Sequence, residues 1–182
     1  MIIVLVGKSA SGKTKIAELL TENYRYDKIT TATTRPKRPN EIEDVSYYFL
    51  TDEEFIKQEN EGMFIETAIF NNWHYGTYSD SFAKDGDYCI VLNPSGLRAL
   101  KSNKKLSSNV YSVFLDADDY VRMQRQMIRG DAIGEVERRF KTDEEDFVGI
   151  ENYVDLTIDN SGNEPEQCVI KILENISEGM YN

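Results

Sequence analysis

The sequence predicts an α/β fold: a P-loop NTPase-type parallel sheet with helices on both faces, plus a small β-rich lobe and a helical lid. Three observations carry that prediction. The solid apolar run Ile2-Ile3-Val4-Leu5-Val6 leads directly into Gly7-Lys8-Ser9-Ala10-Ser11-Gly12-Lys13-Thr14, and then into a stretch with Ile16, Leu19 and Leu20 at helical spacing. Strand-like and helical runs alternate through much of the remaining chain, the pattern of a parallel sheet covered on both faces. Two pieces break that alternation, a β-rich segment from Thr31 to about Phe82 and an Arg-rich pair of helices around Gly130.

The eight residues Gly7 to Thr14 match GxxxxGK[ST], with the strand before and the helix after that the pattern requires. The chemistry follows from the parts. Glycines let the backbone bend and approach a ligand closely. The N–H groups of Gly7, Lys8, Ser9, Ala10, Ser11, Gly12, Lys13 and Thr14, with the helix N-terminus, present positive partial charge to phosphate. Lys13 can reach the outer phosphates, and the Thr14 hydroxyl can ligate Mg²⁺. Ala10 stands where a glycine would leave the loop freer.

The chain has 182 residues, a length suited to one domain with inserted lobes, and its 40% apolar content is enough for a core. No apolar run approaches the roughly 20 residues that span a membrane, and the first residues lack a basic leader with a cleavage site. Cys89 and Cys168 are far apart and lack metal-ligand spacing, so free thiols and a reducing, cytoplasmic setting are expected. The formal charge is −11, which argues against nucleic acid as a partner. It also opposes any nucleotide, so a nucleotide site must be a local island of Lys and Arg.

Taken in order, Lys15 to Tyr24 reads as the helix leaving the P-loop. Lys28 to Thr34 is β-branched and runs into a basic, proline-braced loop holding Arg35, Lys37 and Arg38. Tyr47 to Phe49 begins a short strand. Thr51-Asp52-Glu53-Glu54 has the form of a capping box and opens a helix ending near Gly62. Met63 to Phe70 reads as a strand with one acid, Glu66, in an apolar setting; Asn71-Asn72 turns it, and Trp73 to Thr77 returns. Tyr88 to Leu92 and Val110 to Leu115 are core strands flanking a short helix, Ser95 to Lys101. Asp119 to Ile128 and Glu135 to Glu151 are helices around the loop Gly130 to Gly134. Tyr153 to Ile158 is a last strand, and Pro165 to Ile176 a closing helix.

These pieces, in this order, resemble a guanylate kinase. The matching stretches are the P-loop, Thr31-Ala32-Thr33-Thr34-Arg35 with Arg38 following, Glu41 and Tyr47, Phe64-Ile65-Glu66, Tyr75-Gly76-Thr77, and Arg129-Gly130 with Arg125 before and Arg139 after. The resemblance implies one domain over 1–182: a core (1–30, 86–118, 148–182), a GMP-binding lobe (31–85) and a lid (119–147). It implies that Arg35, Arg38, Tyr47 and Tyr75 hold the GMP phosphate, and that Thr31, Glu66 and Thr77 read the guanine. Lys13, Arg35, Arg125, Arg129 and Arg139 would be the catalytic cations. Guanine offers adjacent N–H donors that one carboxylate can accept; adenine lacks that pair.

The sequence departs from the family at several positions: Pro36 and Lys37 reverse the usual order, Asn40 and Asp44 replace glycines, and the loop after Gly130 is one residue short. An Asp-x-Asp pair usual at the end of the Tyr88–Leu92 strand reads Val91 and Asn93 here, followed by Pro94. A carboxylate there would assist Mg²⁺ water and the guanine amino group; Asn93 can accept a hydrogen bond but brings no charge. The implied activity is ATP-dependent phosphorylation of GMP and dGMP, with Mg²⁺, by a monomer or homodimer that binds neither nucleic acid nor membrane. The acceptor phosphate is already largely ionised at neutral pH, so no general base is required, and the only histidine, His74, reads as structural. The alternatives are a kinase for another phosphorylated acceptor and a non-catalytic guanylate-kinase-like binding module.

Overall fold

The computed structural model describes residues 1–38, 41–70, 72–83 and 85–180, the last of these by its backbone alone. Pro39 and Asn40 of the basic loop and Asn71 of the predicted turn lie outside the described residues.

Strand β1 (Ile2–Val6) is buried at every position, as a central strand covered on both faces must be. It sits in the middle of a five-stranded parallel sheet of order β2-β7-β1-β8-β9. The partners are β2 (Asp27–Lys28), β7 (Tyr88–Val91), β8 (Val110–Asp116) and β9 (Leu156–Asp159). Alternation along β1 divides the core. Ile3 and Leu5 pack with Ile16 and Leu20 of α1 (Lys13–Tyr24) and with Val169 and Ile172 of α6 (Pro165–Met180). Ile2, Val4 and Val6 face the other way, against Leu97 and Leu100 of α3 (Pro94–Ser102) and against Phe147 and Ile150.

A second, four-stranded sheet has the order β4-β3-β6-β5. It comprises β3 (Ala32–Thr33), β4 (Tyr48–Phe49), β5 (Phe64–Phe70) and β6 (Trp73–Tyr78); β3 and β4 run parallel, and β6 is antiparallel to both β3 and β5. Helix α2 (Asp52–Asn60) covers it with Phe55 fully buried, and Thr51 and Glu54 form both bonds of the capping box. The helices of the predicted lid are α4 (Asp119–Arg129) and α5 (Ile133–Asp146), with Gly130 closing α4 in the left-handed region at φ 84°.

Several predicted boundaries move: α1 begins at Lys13 rather than Lys15, and α6 runs to Met180 rather than Ile176. The helix predicted to run to Glu151 stops at Asp146, and a 3₁₀ turn at Ile150–Asn152 follows. The last strand starts at Leu156 rather than Tyr153, because β8 pairs it only from Val113 onward. The loop predicted to extend to Gly134 ends sooner, since α5 begins at Ile133. Both cysteines are free and buried, and no helix among the described residues is long and apolar enough to cross a membrane.

Candidate active site

The carboxyl ends of β1 and β7 open into a cleft of about 360 Å³, which the second sheet closes on one side and the lid helices on another. Seven cationic side chains line it (Lys13, Lys15, Arg35, Arg38, Arg125, Arg129 and Arg139) against three carboxylates, Glu41, Glu66 and Asp143. A chain of charge −11 thus concentrates positive charge in one place.

At the P-loop, Gly12 adopts φ 103°, and a β-carbon there would stand 2.4 Å from Asn160 Nδ2, so only glycine fits. Asn160 is buried and its Nδ2 donates to the Ser11 carbonyl at 2.8 Å, which pins the loop to the end of β9. Ala10 takes the left-handed region at φ 62°, the conformation that a glycine would adopt freely. Lys13 Nζ donates to the carbonyls of Gly7 (2.7 Å) and Lys8 (2.9 Å). Burial pulls its pKa down to about 8, against the opposing pull of Asp143. Gly7, Ser9, Ala10, Gly12, Lys13 and Thr14 line the cleft; the Lys8 side chain does not, and Ser11 is fully buried behind the loop.

On the opposite side, Arg35 is buried beneath the aromatic rings of the second sheet, its guanidinium 5.3 Å from the Tyr47 ring centre and 5.7 Å from that of Phe49. Glu41 organises both arginines. Its Oε1 accepts Arg35 Nη2 at 2.7 Å, and its Oε2 accepts the Arg38 backbone N–H at 2.8 Å. Burial, reinforced by the neighbouring Arg35 charge, lowers the Arg38 pKa to about 10, and burial raises that of Tyr47 to about 12. Tyr75 meets the Tyr47 ring edge-on at 6.2 Å.

Glu66 lies on β5 just past a register shift between Phe64 and Glu66, a bulge of the kind that re-aims a side chain. It is 7% exposed. Its Oε1 accepts the Thr77 hydroxyl, while Oε2 is buried with no hydrogen-bond partner among the described residues. Burial raises its pKa to about 7. Thr31 lines the cleft; Thr77 does not, because its hydroxyl is spent behind Glu66, on orienting that carboxylate. Arg38 Nε is likewise buried without a partner among the described residues.

In the lid, Arg125 reaches the Ala10 carbonyl at 3.3 Å and that of Asn160 at 2.8 Å. Arg129 pairs with Asp131, and Arg139 donates to Asp131 at 2.9 Å and Glu135 at 2.7 Å. Arg138, next in sequence to Arg139, turns away to the second sheet, its guanidinium over the Trp73 ring. Asn93 lines the cleft, and one lone pair of its Oδ1 takes the Gly96 N–H at 2.7 Å and caps α3. Val91 puts an apolar side chain on the cleft wall.

The sequence marks Glu41 as a matching position without giving it a role, and Asn160, Asp131 and Asp143 were missed as parts of this site. Glu41 was legible as an acid three residues beyond Arg38, and Asp131 as one two residues beyond Arg129; Asn160 and Asp143 depend on long-range packing with no local signal.

A P-loop at the end of a parallel sheet, facing a second cationic lobe across a shared cleft, defines a P-loop kinase of small phosphorylated substrates. A family model described as guanylate kinase matches residues 1–177. The guanylate kinase of Bifidobacterium longum (strain NCC 2705) is 32% identical over 168 residues, covering 87% of this chain and 85% of that protein. That of Thermotoga maritima is 31% identical over 134 residues, 70% of this chain and 63% of the relative. The crystal structure of guanylate kinase from Anaplasma phagocytophilum shares the fold, with a TM-score of 0.73 and 23% identity over 98% of this chain and 85% of that one. The chain belongs to the guanylate kinase family.

Proposed function

We propose that this chain transfers the γ-phosphoryl group of ATP to the phosphate of GMP or dGMP, giving ADP and the guanosine diphosphate. A β–γ phosphoanhydride P–O bond breaks, and a bond forms between that phosphorus and an acceptor phosphate oxygen; ADP leaves with the electron pair. The acceptor oxygen, with a second pKa of about 6, is already anionic at neutral pH and needs no base. What remains for the protein is alignment, exclusion of water and positive charge around the transferring group.

The observation that carries this reading is the pairing of opposite orphans in one cleft, the buried Glu66 Oε2 and the buried Arg38 Nε. A guanine edge with two N–H donors satisfies the first, and a phosphate satisfies the second. In this reading Thr31 and Glu66 read the base, with Thr77 orienting Glu66, and Arg35, Arg38, Tyr47 and Tyr75 hold the GMP phosphate. The P-loop from Gly7 to Thr14 takes ATP. Lys13, Arg35, Arg125, Arg129 and Arg139 surround the transferring group. The chain then divides into a core (1–30, 86–118, 148–182), a GMP lobe (31–85) and a lid (119–147).

Thr14 suits Mg²⁺: it offers a hard hydroxyl oxygen on the cleft wall in the first turn of α1. Among the described residues no cluster of three Asp, Glu, His or Cys forms a metal cage, so Mg²⁺ would be held mainly by the ATP phosphates, its common mode. Bound there, the ion neutralises phosphate charge. The acidic exterior fits a cytoplasmic monomer or homodimer whose partners are nucleotides rather than nucleic acid.

The deciding experiment is a coupled assay with ATP·Mg²⁺ and a panel of GMP, dGMP, AMP, UMP and sugar phosphates. Turnover confined to GMP and dGMP is the expected result. Preference for another acceptor would replace this reading, and turnover of none would leave a binding module.

A further inference from the structure

Both lid helices meet the P-loop at one short piece of backbone, Ser9–Ala10. From α5, Asp143 is 1% exposed, and its Oδ2 accepts the Ser9 N–H at 2.8 Å. From α4, the fully buried Arg122 places Nη1 2.9 Å from Asp143 Oδ2 and 3.4 Å from the Ser9 carbonyl oxygen. The Arg122 guanidinium lies 4.3 Å from the centre of the Phe140 ring. Arg125, one turn on, reaches the carbonyl of Ala10. The N–H and C=O of Ser9 and the C=O of Ala10 are therefore all claimed by the lid. The residue held this way, Ala10, is the one whose left-handed backbone a β-carbon disfavours.

A buried ion pair is weak as a stabilising device, because desolvation offsets its attraction. The placement of this one against the P-loop gives it a different consequence. We propose that Asp143 is a positioning residue for the triphosphate loop: with Arg122 it fixes the Ser9–Ala10 peptide so that the following amides converge on phosphate. Asp143 stands one turn beyond Arg139 on α5, so the same bond sets where Arg139 meets the cleft. Loop geometry and lid position become one equilibrium, and ATP binding to the loop favours the docked lid by as much as the docked lid favours ATP.

This inference rests on the reading of the P-loop as the ATP site. The sign of the effect is diagnostic. A carboxylate beside a phosphate site would, if it acted only through its charge, weaken ATP binding, and its removal would strengthen it.

The test is titration calorimetry with ATP·Mg²⁺ and, separately, with GMP, on wild type, Asp143→Ala and Asp143→Asn. Loss of a hydrogen bond to a charged group is expected to weaken ATP binding at least about tenfold in Asp143→Ala and to leave GMP within about twofold. Asp143→Asn keeps an oxygen for the Ser9 N–H and is expected to stay within about threefold of wild type, since the neutral bond is the weaker of the two. Should Asp143→Ala not fold, because the buried Arg122 then keeps only the exposed Asp119 as an ion-pair partner, the double variant Arg122→Leu, Asp143→Ala removes that charge and is expected to show the same ATP-specific loss. Unchanged or tighter ATP binding would overturn the inference, as would parallel losses for both ligands or an Asn variant as weak as the Ala variant. A wild type that binds GMP but no ATP would overturn the ATP-site reading itself, and this inference with it.

Discussion

The Arg138 guanidinium lies 5.2 Å from the centre of the Trp73 ring, joining the second lid helix to the far sheet across the cleft. Glu135 holds Arg138 in that pose through two bonds, at 2.7 and 2.9 Å. Trp73 is the only tryptophan in the chain, so its emission reports this contact without a label. Saturating GMP together with a non-hydrolysable ATP analogue is expected to change Trp73 fluorescence. Arg138→Ala is expected to shrink that change and to raise the KM for GMP about two- to fivefold, the size of an exposed cation–π contact. Identical titration curves for wild type and variant would show that the contact plays no part in closure.

In its proposed role, Glu66 ties recognition of the base to pH. Its carboxyl, raised to about 7 by burial, must be ionised to accept two N–H donors. GMP affinity is therefore expected to fall about tenfold per pH unit below 7 and to level off above about 8. Glu66→Gln should flatten the curve between pH 7 and 8, leaving only the phosphate's own titration near 6, and should erase discrimination between GMP and AMP. The fold carries the opposite sign. Between the usual carboxylate pKa of 4.5 and about 7, the native state holds this proton more tightly than the unfolded chain does. Stability thus falls as pH rises through that window, by at most about 3 kcal/mol. Thermal unfolding at pH 4 and pH 8 should show Glu66→Gln gaining stability over wild type only at the higher pH.

How much of this was readable from the sequence depends on the range of the interaction. β1 is apolar throughout because both its faces are covered, and the Thr51–Glu54 box is complete within four residues, so both are local signals. Asn93 illustrates the limit: the residue type permits an acceptor, and only the path of α3 shows that one of its lone pairs caps that helix at Gly96. Arg122 and Asp143 go further. In sequence they look like charges on solvated helix faces; in the fold both are buried, because the P-loop, 134 residues from Asp143, supplies a backbone N–H for that carboxylate. A pattern within one helix contains no information about that partner.

Lys13 and Arg139 approach the proposed reaction centre from the loop and from the lid. Replacing either with alanine is expected to lower kcat at least about a hundredfold, the scale of losing one preorganised donor to a developing charge. The fold should survive, because Lys13 bonds only loop carbonyls and Arg139 bonds carboxylates of the lid itself. Free Lys13 has a pKa near 8, so ATP affinity should also decline as pH rises above that value, a dependence absent from Lys13→Ala. Wild-type kcat in either variant, measured by the coupled assay with circular dichroism as the folding control, would remove that residue from the catalytic set.

Glu41 bonds two arginines proposed to hold the GMP phosphate, and its removal tests whether their spacing matters. Its two oxygens set the Arg35 guanidinium and the Arg38 backbone in register, so that both side chains reach the same part of the cleft. In Glu41→Ala, Arg35 keeps the Pro36 carbonyl at 2.7 Å and the two aromatic rings beneath it, so the second sheet is expected to stay folded. The arginines lose their common reference and gain rotamer freedom that GMP must then freeze. The expected result is a rise in the KM for GMP of about tenfold, the scale of one charge-assisted hydrogen bond, with the KM for ATP unmoved. Steady-state kinetics with each substrate varied in turn makes the comparison. A parallel rise in both constants would mean that Glu41 supports the whole cleft rather than the phosphate grip of its own loop.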